Sequence, residues 1–169
     1  MREGHVARWL LLAGMVIAAD QLTKLWVAHE LALGTSVYVA PVFDLVHVRN
    51  TGAAFSFLAG ASGWQREFFL LVGLAASIWI VWMLVRAARD QVLFFVALSL
   101  VLGGALGNVI DRVRLGAVVD FLSFHWGPHY WPAFNVADSA ISCGAALLIV
   151  DAFRQSRKTA TEGSRAAPQ

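Results

Sequence analysis

Four long apolar runs set the terms for this chain. Residues 9–28, 68–85, 92–110 and 136–153 are each close to the ~20 residues that an α-helix needs to cross a bilayer. Lipid offers backbone groups no hydrogen bonds, so such runs fold as helices or not at all. With 59% hydrophobic and 14% charged residues over 169 positions, the expectation is an all-α membrane protein: a four-transmembrane-helix bundle in a single integral membrane domain, 1–169. The first run follows a basic lead, MREGHVAR, and could be read as a cleaved secretory signal. The apolar pattern resumes after Lys24 with Leu25, Trp26, Val27 and Ala28, which favours a retained helix.

The connections divide by charge. Arg2 and Arg8 in the lead, Arg86 and Arg89 in the short loop, and Arg154, Arg157, Lys158 and Arg165 in the tail fall on one side. The positive-inside rule makes that side cytoplasmic, with both termini there. Segments 29–65 and 111–133 are then extracytoplasmic, and 154–169 reads as a polar, disordered cytoplasmic tail. In 29–65 the β-prone Val37, Val39, Val42, Leu45, Val46 and Val48, interrupted by Pro41, suggest two short strands. Asn50-Thr51-Gly52 reads as a turn, and Ala53 to Ala59 could dip back toward the membrane. Segment 111–133 reads as a loop with an apolar interfacial stretch, and Trp126, Tyr130 and Trp131 as an aromatic belt. Trp64 and Arg66 read as interfacial anchors.

Polar residues gather at the mouths of the spans, where burying charge is expensive. Gly104, Asn108 and Arg112, spaced four apart, share one helical face at the end of the third run, with Asp111 on a neighbouring one. Arg112 alone could simply snorkel to the interface. Gly103 and Gly107 form a small-xxx-small pair suited to close helix approach. Asp120, in GAVVDF, is flanked by apolar residues that would favour its protonated form, unless it merely faces water. After Pro132, Asn135 suits an N-cap and Asp138 falls at N3, so a structural cap accounts for Asp138 without chemistry. A helix-start aspartate can equally belong to a proton-sharing pair. Asp20 and Lys24, four apart inside the first run, read as an internal ion pair. His125 and His129 are separated by Gly127-Pro128, which argues against a metal site. Cys143, the single cysteine, rules out an intrachain disulfide and reads as a small core residue.

The ordered motifs DQLTK (20–24), NTGAAFSFL (50–58), GGALGNVIDR (103–112), GAVVDF (116–121) and FNVAD (134–138) carry a resemblance. The chain resembles the lipoprotein signal peptidase (signal peptidase II) family of bacteria from Asp20 to Ser139; the ends and 123–131 are the least family-like. That resemblance implies an intramembrane aspartyl endopeptidase of the cytoplasmic membrane. It would remove the signal peptide from diacylglyceryl-modified prolipoproteins just before the lipidated cysteine. By resemblance the catalytic pair falls on Asp120 and Asp138, and Asn50, Asn108, Arg112 and Asn135 match substrate-binding positions. Asp20, Lys24, Gly52, Gly104 and Ala137 match structural motif positions. The family implies no metal or organic cofactor, inhibition by globomycin, membrane lipid as surroundings, and no nucleic-acid partner; a monomer is expected. The competing class, a transporter or proton channel, calls for polar groups spread through the bilayer depth, and a scaffold leaves their clustering unexplained.

Overall fold

The structure is a computed structural model that describes residues 3–52, 64–87 and 91–166. Its elements are α1 (Glu3–Glu30), β1 (Ser36–Ala40), β2 (Phe43–Asn50), α2 (Gln65–Arg86), α3 (Val92–Leu115), β3 (Val118–Trp126), β4 (His129–Tyr130) and α4 (Val136–Ala166). All four helices are long and apolar enough to cross a membrane, as the four runs led one to expect. The reading of Ala53 to Ala59 lies outside the described residues, as do Arg89 and Asp90 of the short loop.

Helix α3 is the hub, packed against α1, α2 and α4. Glycines make that possible. A Cβ on Gly103 would sit 2.7 Å from the carbonyl of Ala13 in α1. On Gly104 it would collide with the backbone carbonyl of Ala137 in α4, and on Gly107 it would lie 2.6 Å from the Asp20 carboxylate. In lipid, where apolar surface gains nothing by leaving solvent, such close approach is what drives helices together. At the opposite end of the bundle Trp9 stacks on Phe95 with centroids 5.3 Å apart, among Ile80, Leu84, Leu98 and Leu102. Large outward side chains such as Leu22, Leu71, Ile78 and Phe153 form an apolar surface that suits lipid rather than water.

The expected strands are present, and there are more of them. An antiparallel sheet runs β1-β2-β3-β4. The β1–β2 hairpin turns at Pro41-Val42. Several expectations need correction. The third helix does not stop at residue 110 but continues through Asp111 and Arg112 to Leu115. Segment 111–133 is not a loop: Gly116, with φ 74°, turns the chain out of α3 directly into β3. Residues 118–121, Asp120 among them, are all buried because both faces of this strand are covered, which leaves no alternation of buried and exposed positions to read. Residues 154–166 are not a disordered tail, since α4 continues to Ala166. Cys143 is exposed rather than packed in the core.

Candidate active site

The first turn of α4 collects the key groups. Asn135 is its N-cap: Oδ1 accepts the Asp138 N–H at 2.9 Å. A second cap comes from far away in sequence, where Asp20 Oδ1 accepts the Ala137 N–H at 2.9 Å. Asp20, fully buried at 0% exposure, is neutralised through Oδ2 by Lys24 Nζ at 2.8 Å. Lys24 Nζ also pairs with Asp111 at 2.9 Å and donates to Asn108 Oδ1 at 3.0 Å. Gln21 Nε2 ties this group together, donating to Asp111 at 2.9 Å, Asp20 at 3.1 Å and the Gly107 carbonyl at 3.2 Å.

Three asparagines then face two aspartates. Asn108 Nδ2 donates to Asp138 Oδ1 at 2.8 Å. Asn135 Nδ2 donates to Asp120 Oδ1 at 2.7 Å, and Asn50 Nδ2 to Asp120 Oδ2 at 3.1 Å. The amide orientations follow from their partners. The oxygen of Asn108 takes the Lys24 ammonium, which can only donate, and those of Asn135 and Asn50 take backbone N–H groups, of Asp138 and of Gly52 (2.9 Å). Each NH₂ is left to point at a carboxylate. Asp120 and Asp138 therefore share Asn135, and neutral amides hold both.

Asp120 arrives from the sheet. It lies opposite Val48, and Asn50 opposite Val118, so β2 and β3 bring Asn50 and Asp120 together from 70 positions apart. Asp120 is 2% exposed. Burial first, and then the charge of Asp138, push its carboxyl up to about 7; the amides of Asn50 and Asn135 and the charge of Lys24 pull the other way.

Arg112 does not snorkel. It is buried, donating to the Gly52 carbonyl at 2.9 Å and the Asn108 carbonyl at 3.3 Å, with its guanidinium 5.1 Å from the Phe69 ring centre. It thus fixes the turn that follows Asn50. Arg66 is likewise more than an anchor: its guanidinium donates to the carbonyls of Arg112 and Val113 at the end of α3. Gln21, Asp111 and Arg66 are the members that sequence reasoning undervalued. The DQ pair beside the ion pair was the available hint for Gln21, whereas Asp111 and Arg66 act through contacts between helices.

A cavity of about 390 Å³ opens beside Asp138, lined also by Asn50, Trp131, Phe134, Ser142 and Cys143. A second, of about 200 Å³, opens beside Asp120. Both are bordered by Asn50, Pro132 and Ala133, so the two carboxylates look onto adjoining space.

Residues 12–154 match the family described as Signal peptidase (SPase) II. The chain belongs to the signal peptidase II family. A lipoprotein signal peptidase of Paraburkholderia phymatum is 54% identical over 154 residues, covering 91% of this chain and 92% of that one. One from Ralstonia nicotianae is 54% identical over 156 residues, covering 92% and 90%. A solved bacterial membrane enzyme superposes with a TM-score of 0.80 at 34% identity, covering 89% of this chain and 90% of that one. Membership in the signal peptidase II family makes the chain a multi-pass bacterial membrane protease.

Proposed function

We propose that the chain cleaves the signal peptide from diacylglyceryl-modified prolipoproteins just before the lipidated cysteine, with Asp120 and Asp138 as an aspartyl dyad. The observation that carries this reading is a pair of carboxylates, Asp120 fully buried and Asp138 half-buried, each held by an asparagine amide and bordering adjoining cavities. Two such groups held by neutral amides cannot easily both ionise, so they share one proton. In the resting site Asp120 holds it. Asp138 takes a proton from a water molecule, whose oxygen attacks the scissile carbonyl carbon. Asp120 donates a hydrogen bond to the carbonyl oxygen and then gives its proton to the leaving amine as the C–N bond breaks, so that the dyad, with Asp138 now protonated, again holds one proton. Asn50, Asn108 and Asn135 hold the carboxylates, and Arg112 holds the turn after Asn50. Asp20, Lys24, Gly104 and Ala137 form the frame beneath, and Gly52 presents its carbonyl to Arg112. No metal or organic cofactor enters these steps.

The clustering of polar groups at one end of the bundle, with Trp9, Phe95 and Leu84 packed at the other, supports a protease site over an ion path through the bilayer. The same reading puts the whole chain in one domain in the inner membrane, with both termini cytoplasmic and the dyad at the outer face. There it acts as a monomer, with water at hand, the substrate's acyl chains left in lipid, and globomycin as an inhibitor. The test is turnover of a lipidated prolipoprotein by purified protein, read by product mass. Asp120→Asn, Asp138→Asn and the double variant should each lose on the order of 10³-fold or more, because groups acting as a unit are not additive. Partial, additive losses, or retained cleavage by Asp138→Asn with only a lower melting temperature, would leave Asp138 a helix cap. An unlipidated substrate should be cleaved far more slowly; equal rates would refute the part given to the acyl chains.

A further inference from the structure

The sheet has a second face. Strand alternation turns His47 and Arg49 of β2 away from Val48 and Asn50, and Val119, opposite Arg49 in register, away from Asp120. This face meets the ends of α1 and α3 over a cavity of about 200 Å³, bordered by Lys24, Leu25, Arg49, Asp111, Arg114 and Leu115 among others. Lys24 and Asp111 cancel one another at 2.9 Å, and the carboxylate of Asp111 also accepts from Gln21 and from the Val119 N–H. Arg49 and Arg114 have no ion pair among the described residues, so they are the uncompensated charge of the cavity. Both are exposed.

The other half of the cavity wall is apolar and continuous with the lipid-facing surface. Leu25 is half-exposed, and Leu22 and Trp26 continue its stripe along α1. Trp26 lies four residues from the end of α1 at Glu30, about 6 Å along the axis at 1.5 Å per residue, the depth at which indole rings sit at a membrane interface. Two free guanidinium groups above an apolar stripe at that depth match an amphiphile with an anionic head. Arginine suits phosphate through its paired, fixed donors, and basic pockets between membrane helices take phospholipid headgroups.

We propose that this cavity binds the phosphate of an anionic phospholipid, with Arg49 and Arg114 on the phosphate and the acyl chains along Leu22, Leu25 and Trp26. The site lies behind β2 and β3, with Arg49 at its edge bordering the cavity beside Asp120 as well, and its occupancy does not depend on the catalytic reading. The test is native mass spectrometry of the full-length protein in detergent. The probes are short-chain phosphatidylglycerol, diacylglycerol with the same chains, and inorganic phosphate. Phosphatidylglycerol should bind the wild type, and Arg49→Gln/Arg114→Gln should weaken it by about tenfold or more, as loss of charge-assisted hydrogen bonds implies. Arg114→Gln alone, at an exposed position, should give an intermediate loss, and Arg154→Gln in α4 none. Unchanged affinity in both Arg114 variants overturns the proposal, as does diacylglycerol binding as tightly as the phospholipid. Inorganic phosphate that binds as tightly as the lipid would make this a free-anion site and overturn the lipid assignment.

Discussion

Removing the Asp20 side chain tests the frame beneath the site. In Asp20→Ala the Ala137 N–H, now capped at 2.9 Å, loses its acceptor inside the bundle. A buried orphan donor costs about 1–3 kcal/mol. Lys24 loses one of two carboxylates but keeps Asp111 at 2.9 Å and Asn108 at 3.0 Å. The cost of breaking that pair therefore falls at the low end of its range, about 3 kcal/mol. The two together amount to roughly 4–6 kcal/mol. At about 2–4 °C per kcal/mol for a chain of this length, the melting temperature should fall by on the order of 10–20 °C. The assay is a thermal melt in detergent followed by tryptophan fluorescence. Asp20→Asn keeps an acceptor for the Ala137 N–H and should lose about half as much. Combining Asp20→Ala with Lys24→Met should restore only part of the loss, because Asp111 then loses its cation; adding Asp111→Asn should restore more. If Asp20→Ala melts at the wild-type temperature yet cleaves nothing, the residue belongs to the chemistry and the framework argument fails.

Other expectations follow from the same contacts. Gly104→Ala would drive a methyl into the Ala137 carbonyl and should lower the melting temperature sharply and abolish cleavage, whereas Gly14→Ala, with nothing within 4 Å, should do neither. With the Asp120 carboxyl near 7 and needed in its protonated form, cleavage should decline as pH rises through about 7. The Asn50 amide lowers that value, so Asn50→Ala should move the declining limb to higher pH; a limb that stays put would separate Asp120 from the titration. Reporter fusions should be cytoplasmic at Ala87 and Gln169 and external at Gly34 and Gly127, and an external signal at Gln169 would reverse the topology.

Local patterns in the sequence were enough for the four helices, since length and hydropathy alone decide what can cross a bilayer. They were enough for the Asp20–Lys24 pair and for Asn135 capping the Asp138 amide, because i, i+4 and cap spacings are set by helix geometry. The two short strands β1 and β2 were legible too, from their β-prone residues and the break at Pro41, though not their pairing. What lay beyond local pattern depends on partners far off in the chain. Val118 to Phe121 looked like an interfacial loop because a strand covered on both faces has no alternation to read. Arg112 looked like a snorkelling side chain because nothing nearby announces that Gly52, 60 positions away, supplies its acceptor. Only the fold shows that Asp20 reaches an amide 117 positions on, or that Lys24 serves Asp111 as well. Those contacts exist because Gly103, Gly104 and Gly107 let three helices approach to backbone contact, and because the register of β2 on β3 sets Asn50 beside Asp120. Spacing along a chain carries periodicity; which distant faces meet is decided by packing and register.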